Sequence, residues 1–300
     1  MSNVLVIGAS GYIGKEAARA FSRAGYNVYA LVRSAEKGKD LPFDEITPVV
    51  GDVSNPDSYA DILDRADIVF DASLPSNGDP VKHTYSIFDA IKHTAAKRAD
   101  QGGSLNFIYN TGVWLYGNTS VQGVSENTTL SPLSLLSWRP KAEQDALNLA
   151  PNVRTIVVRP GVVYGRSGSL SGLFFGGVES GVIRLPRGAQ NNLATIHVDD
   201  LADFYVKAAA KAQLLKGNRF TVVNPASESV QEIIRAVRQV ANREIAVEEY
   251  EPESFVDQGI SLNQVIDARQ TREVVGWQPR KRTLVEGAAR YYAAWKAYNA

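Results

Sequence analysis

The sequence predicts a doubly wound α/β fold, a parallel sheet of about seven strands flanked by helices, and three observations predict it. The apolar run Val4-Leu5-Val6-Ile7 leads directly into Gly8-Ala9-Ser10-Gly11-Tyr12-Ile13-Gly14. That turn opens a segment, residues 12–24, rich in Ala, Arg and Lys with an apolar face, so the order reads as strand, tight turn, helix. Short β-rich runs then recur along the chain, separated by helical stretches, which is the alternation of a parallel sheet.

Bulk properties narrow the class further. A chain of 300 residues is long enough for one large α/β domain plus a smaller lobe with a full core. Apolar content of 44% and charged content of 21% are ordinary for a globular protein. The formal net charge is zero, which argues against nucleic acid or an anionic membrane surface as a partner. There is no cysteine, hence no disulfide, no thiolate nucleophile and no cysteine metal site. No apolar run is long enough to cross a bilayer, and the N-terminus runs straight into a strand with no signal-peptide pattern, so the expected address is the cytoplasm.

The glycine turn carries the first chemistry. Gly8 can take backbone angles that a side chain forbids, Gly11 lets the main chain approach a pyrophosphate, and Gly14 lets the helix pack closely on the strand. With Ser10, Tyr12 and Ile13 they form a candidate dinucleotide cradle at a helix N-terminus, where free N–H groups and partial positive charge favour phosphates. Residues 26–32 form the second strand, and its end selects the cofactor. An Asp or Glu there binds the ribose hydroxyls of NAD, but this run ends Leu31-Val32-Arg33-Ser34, with Lys37 close behind. A guanidinium suits a 2′-phosphate, so Arg33, Ser34 and Lys37 predict NADP(H) in preference to NAD(H).

The remaining elements follow in order. Residues 46–50 form a third strand running into Gly51-Asp52-Val53, where Asp52 reads locally as a turn and cap before a helix at 57–65. Residues 67–71 form the fourth strand, and Ala72 and Ser73 stand at its carboxyl end, where open parallel sheets bind ligands. A polar loop at 75–80 leads to a helix at 81–97. His83 and His93 lie on that helix as solvated residues, since neither has a partner at metal-ligand spacing. The fifth strand, 105–110, ends at Thr111, whose local reading is a turn-forming hydroxyl. A helix is expected over 134–150, with its regular part starting near Arg139 because of Pro140. Ser137 then either caps it or faces a ligand. The sixth strand covers 153–159. Residues 166–181 are glycine- and serine-rich around Leu173-Phe174-Phe175 and read as a mobile lid. Arg184 and Arg187 are candidates for an anionic substrate group. His197 precedes Asp199 and Asp200, but the ligand count for a metal fails, and His197 reads as structural. A seventh strand at 219–223, a helix from Ser227 to about Ala241 with Glu232 in its first turns, and an aromatic-rich helix at 284–298 complete the chain.

The G-x-x-G-x-x-G spacing, the string Arg159-Pro160-Gly161-Val162-Val163-Tyr164-Gly165, the run His197-Val198-Asp199-Asp200-Leu201-Ala202 and the late Gly276-Trp277-Gln278-Pro279 occur in this order. Together they resemble the extended, epimerase/dehydratase-like branch of the short-chain dehydrogenase/reductase superfamily. The resemblance covers nearly the whole chain. It implies a Rossmann-type domain over residues 1–166, with 192–224 returning to it, and a small C-terminal substrate lobe within 167–300. It implies that Asp52 and Val53 contact adenine, that Thr111 binds a substrate carbonyl, and that Pro160 and Val162 wrap the nicotinamide end. Family members are often dimers through the helices expected at 81–97 and 134–150, which makes a homodimer the expected assembly.

One departure is plain. The family's acid/base pair is Tyr-x-x-x-Lys on one helix face. Lys141 matches the Lys, but Ser137 stands four residues earlier and no Tyr lies on that helix. A serine hydroxyl is a far weaker acid than a phenol. Tyr116 and Tyr164 are the alternative proton donors, with water as the third. The resemblance therefore implies an NADP(H)-dependent oxidoreductase of a small-molecule carbonyl or alcohol. A nucleotide-sugar epimerase or dehydratase, and a non-catalytic NADP(H)-binding, redox-responsive protein, are the alternatives.

Overall fold

A computed structural model of the chain describes residues 1–75, 78–120, 122–168 and 170–300. The polar loop expected at 75–80 and the lid expected at 166–181 each include residues outside that set. In chain order, β1 (Asn3–Ile7) enters the glycine turn and α1 (Tyr12–Arg23) leaves it. There follow β2 (Asn27–Val32), α2 (Ala35–Gly38), β3 (Thr47–Val50), α3 (Ala60–Leu63), β4 (Ile68–Asp71), α4 (Pro80–Ala99) and β5 (Leu105–Asn110). The chain continues through α5 (Arg139–Leu147), β6 (Val153–Pro160), β7 (Val162–Tyr164), α6 (Gly172–Ser180), β8 (Val182–Pro186), β9 (Asn192–Leu193), β10 (Thr195–His197), α7 (Val198–Ala210) and α8 (Ala212–Leu215). It ends with β11 (Arg219–Val222), β12 (Glu228–Ser229), α9 (Val230–Ala241), β13 (Ala246–Tyr250), α10 (Phe255–Ile260), α11 (Arg269–Val275) and α12 (Ala288–Tyr298).

Seven strands form one parallel sheet in the order β3-β2-β1-β4-β5-β6-β11, the architecture expected from the sequence. β1 is central, with Val4 opposite Val28 of β2 and Ile68 of β4, and Ile7 opposite Asp71. Its apolar run is explained by cover on both faces, which removes the alternation seen in half-exposed strands. On one face Leu5, Val69 and Phe107 pack with Ile87 and Phe88 of α4 and Ala142 and Ala146 of α5. On the other, Phe70 lies between Phe21 of α1 and Tyr205 of α7, with ring centroids 6.2 and 4.5 Å away.

Local chemistry sets the helix starts. Asp79 caps α4 by accepting from Val81 N and Lys82 N, with Pro80 in the first turn. Ser229 and Glu232 form a reciprocal capping box on α9. α5 begins at Arg139 as expected, preceded by a 3-10 turn at Ser134–Leu136. Trp138, not Ser137, occupies the cap position and no side chain caps this helix, so the capping reading of Ser137 is corrected. The outward faces of α4 and α5 carry Lys82, Asp89, Lys92, Lys97, Lys141 and Gln144.

The chain folds as two interleaved compact units, Met1–Thr111 with Trp138–Val158 and Ala202–Phe220, and Gly112–Ser137 with Arg159–Leu201 and Thr221–Ala300. In the second unit β8 and β13 pair in parallel, Ile183 opposite Val247, and α6 lies against β8. The run expected as a lid is thus largely the helix α6, with Phe174 and Phe175 buried in an apolar cluster with Ile183, Ile233 and Tyr291. Two adjacent buried aromatics hold the glycine-rich segment in place, which composition alone does not show. Replacement of Phe174 by Ala is expected to cost about 3–5 kcal/mol in urea unfolding. A loss below about 1 kcal/mol, the range of surface changes, would show that the segment is not part of the core.

Candidate functional site

The glycine turn is built by contacts that leave no space for side chains. Gly8 has φ +86°, and a Cβ there would lie 2.9 Å from Ala72 C and from Ser73 N and Cα. A Cβ on Gly14 would lie 2.1 Å from the Gly8 carbonyl oxygen. Gly11 N donates to Gly8 O at 2.9 Å and closes the turn. Ser10 is exposed, and Tyr12 and Ile13 are half-buried in the first turn of α1. No side chain caps α1 and its first turn has no acid. An uncapped, electropositive helix end on a backbone that a Cβ would obstruct fits the pyrophosphate of a dinucleotide.

At the end of β2, Arg33, Ser34 and Lys37 are exposed. The Ser34 hydroxyl accepts from Lys37 N and caps α2. Arg33 makes no hydrogen bond or ion pair among the described residues. Asp52 accepts from Ser54 N at 2.8 Å and Ser54 Oγ at 2.6 Å, and these bonds hold its carboxyl below the usual range, with Arg33 and His83 adding to the shift. Val53 is buried beside it.

The end of β4 holds a hydrogen-bonded chain that the sequence did not disclose. Asp71, only 3% exposed, accepts from Ser73 N at 2.8 Å and Ser73 Oγ at 2.6 Å through the same oxygen. Ser73 Oγ lies 2.8 Å from His83 Nε2. Because the single serine proton goes to Asp71, the imidazole is the donor in the second bond, which assigns the proton to Nε2. His83 is therefore half-buried and engaged, not solvated as expected, while His93 is exposed. Burial lowers the His83 pKa and raises that of Asp71 to about 6, against the opposing Ser73 bonds and the positive charge of Arg139.

Thr111 and Lys141 are not brought together. Thr111 Oγ1 donates to Glu143 Oε1 at 2.8 Å, with Val158 O at 3.2 Å, and the fully buried Glu143 also pairs with Arg219 at 3.4 Å. Lys141 Nζ bonds Asp145 Oδ2 at 2.5 Å with its side chain 74% exposed, and Tyr85 donates to the same carboxylate. That hydrogen bond raises the Lys141 pKa. Two residues along a helix is about 200° of rotation, so Lys141 cannot share the inward face of Glu143. Arg139, one turn before Glu143, does share it. Ser137 is exposed.

The other candidates lie in the second unit. Tyr116 is buried, accepts from Arg159 Nη1 at 3.0 Å and shares a hydroxyl–hydroxyl hydrogen bond of 2.7 Å with Thr221 Oγ1. Burial raises its pKa against the lowering effect of Arg159. Tyr164 is fully buried, donates to Arg282 O at 2.6 Å and accepts from Asn224 Nδ2 at 3.1 Å, and burial drives its pKa far up. Pro160 ends β6 and Val162 opens β7, both buried. Arg184 and Arg187 pair with Glu248 and Glu251. His197 is buried and accepts from Asp199 N at 3.0 Å, the structural role expected of it. No group of three or more His, Asp or Glu placed to hold a metal occurs among the described residues. Asp71, His83, Glu143 and Arg139 join the candidate residues at these strand ends and were not expected from the sequence. An acid ending the apolar run Ile68-Val69-Phe70 and the Arg-x-x-x-Glu spacing on α5 were the available signals.

A parallel sheet with this glycine turn on its first strand defines a nucleotide-binding α/β protein. Residues 8–212 match the family model described as NAD(P)H-binding, and the chain belongs to that family. Sterol-4-alpha-carboxylate 3-dehydrogenase, decarboxylating, from Dictyostelium discoideum is 27% identical over 179 residues, covering 55% of this chain and 54% of that protein. The chain thus spans about half the length of the curated relative it matches. Two solved structures share the fold over nearly all of both chains. UDP-glucuronic acid 4-epimerase from Bacillus cereus, in complex with UDP-glucuronic acid and NAD, has a TM-score of 0.83 at 18% identity, over 98% of this chain and 99% of that one. dTDP-glucose 4,6-dehydratase from Bacillus anthracis, in complex with NAD, has a TM-score of 0.81 at 16% identity, over 99% of this chain and 97% of that one. No helix among the described residues is long and apolar enough to cross a membrane.

The buried Asp71 gives a pH test. Its folded pKa of about 6 exceeds the unfolded value, so the folded state keeps the proton longer and stability from this group falls as pH rises from about 4 to about 6. Asp71→Asn keeps the acceptor and removes the charge. Its stability relative to the wild type is expected to rise by about 2–3 kcal/mol between pH 4 and pH 7 in urea unfolding. His197, lowered to about 4 by burial, contributes with the opposite sign but is common to both proteins and cancels in the difference. A difference independent of pH refutes the assignment.

Proposed function

We propose that this protein is an NADP(H)-dependent oxidoreductase acting on a carbonyl or alcohol of a small molecule. The observation that carries the reading is the glycine turn, closed to a Cβ at Gly8 and Gly14, with Arg33, which makes no hydrogen bond or ion pair among the described residues, on the neighbouring strand end and no acid in its place. In this reading residues 8–14 and the α1 N-terminus hold the pyrophosphate, Arg33 with Lys37 holds the 2′-phosphate, and Asp52, Val53, Ala72 and Ser73 line the adenosine side. The bound nicotinamide supplies or accepts the hydride. The protein's own residues position and shield. Thr111 spends its proton on Glu143, so it meets a ligand as an acceptor. The Tyr164 phenol donates its proton to Arg282 O, and the buried Tyr116 phenol is held between Arg159 and Thr221, so water is the proton source. The charged outward faces of α4 and α5 argue against a homodimer built there, and the protein acts as a single chain in the cytoplasm.

A second reading is a dinucleotide-binding protein without turnover. Lys141 turned outward to Asp145, on a helix with no tyrosine, favours it. Consumption of NADPH with any member of a carbonyl panel separates the two.

Arg33→Ala is expected to weaken NADPH about tenfold or more, the value of charge-assisted bonds to a phosphate, and to change NADH by less than about twofold. Isothermal titration of both nucleotides measures this. Equal losses for the two overturn the NADP(H) assignment.

A further inference from the structure

Arg139 is a partly buried guanidinium with no hydrogen bond or ion pair to any described residue. Its close neighbour is the ring of Trp138, 4.9 Å from the guanidinium carbon. Its donors meet no protein acceptor among the described residues, and a planar donor fork suits phosphate and hydroxyl oxygens. The residue's place in the fold says which oxygens those are.

Arg139 opens α5, one turn before Glu143, and Glu143 accepts the Thr111 hydroxyl at the carboxyl end of β5. Its charge is felt by Asp71 at the carboxyl end of β4 and by Tyr109 near the end of β5. Asp71 receives its hydrogen bonds from Ser73, so the carboxylate attracts the guanidinium without engaging its donors. The guanidinium thus belongs to the carboxyl edge of β4 and β5. Lys141, on the opposite side of the helix, does not.

The sheet order turns this into an assignment. In the order β3-β2-β1-β4-β5, a dinucleotide with its pyrophosphate at the end of β1 and its 2′-phosphate at the end of β2 has only the β4 and β5 side for its other half. We infer that Arg139, and not Lys141, is the cation that α5 offers to that half, binding the ribose and phosphate oxygens of the nicotinamide nucleotide. This rests on the dinucleotide reading of the glycine turn. Four residues before the cation, in the 3-10 turn that precedes α5, stands Leu135, apolar and 59% exposed. α5 therefore contributes a positioning cation and no proton donor.

The test compares NADPH with adenosine 2′,5′-bisphosphate, which has the adenosine half and lacks the nicotinamide nucleotide, by titration calorimetry. Arg139→Ala is expected to weaken NADPH about tenfold or more and to leave the bisphosphate within about twofold. Arg139→Lys restores part of the loss, Lys141→Ala changes neither ligand, and Arg33→Ala weakens both. Unchanged NADPH affinity in Arg139→Ala overturns the inference alone. So does equal weakening of both ligands, which marks a structural effect, or a loss on Lys141→Ala as large as that on Arg139→Ala. Failure of the wild type to bind either ligand overturns the dinucleotide reading and the inference with it. Should Arg139→Ala fail to give a wild-type circular dichroism melt, Arg139→Gln, similar in length and uncharged, is read in its place by the same criteria.

Discussion

The contact on which the first unit depends is that of Gly14 against the Gly8 carbonyl, with Gly8 itself against Ala72 and Ser73. At one point strand β1, helix α1 and the end of strand β4 come so close that hydrogen is the only tolerable side chain. The helix start is thereby placed directly above the sheet edge, and its cap residue Gly11 has no side chain to occupy it. The same closeness brings the β4 end into register with β1, so that Asp71 lies beside Ile7 and Ser73 beside the turn. Cofactor cradle and polar chain are thus two consequences of one backbone approach.

That polar chain sits on top of an apolar core, and its energetics explain its form. A carboxylate with 3% exposure is expensive to ionise, and Asp71 is accommodated by two bonds to one oxygen from its own turn and by the distant charge of Arg139. The buried Tyr59 hydroxyl has no hydrogen-bond partner among the described residues, and burial together with the charges of Asp71 and Asp52 pushes its pKa to about 12. Such groups stabilise the fold little. They persist most readily where a ligand completes them, and they stand at the strand ends where open parallel sheets place ligands.

The fold was largely legible because its signals are local. The β5 limits and the start of α5 at Arg139 follow from a β-rich run and a proline in a first turn, while the helix expected from Ser227 begins at Val230, after its cap Ser229. Of the candidate site, the turn at residues 8–14 is the part whose geometry follows from backbone chemistry alone. What failed needed tertiary information. Phe174 and Phe175 in a glycine-rich run look like a lid until their neighbours are known. His83 looks solvated until Ser73, ten residues earlier, is seen to meet it. Arg139-Pro140-Lys141 offers two cations on opposite sides of a short helix, and only the burial of Ala142, Glu143 and Ala146 decides which faces inward.

The choice between those two cations changes the chemistry expected of the site. With Lys141 as the working cation, Ser137 becomes a candidate for the missing phenol, and the acid/base pair of the resembled family survives in weakened form. With Arg139 as the working cation, the position four residues earlier is Leu135, and nothing there carries a proton. Arginine also cannot lend one, since its guanidinium stays charged at any pH the protein meets. Lysine and tyrosine form a pair in which the ammonium charge lowers the phenol pKa. An arginine beside a leucine keeps the charge and drops its proton-transfer purpose. On this reading the helix has retained the task of holding the cofactor and given up proton transfer, so a reaction at this site takes its proton from solvent or from the substrate.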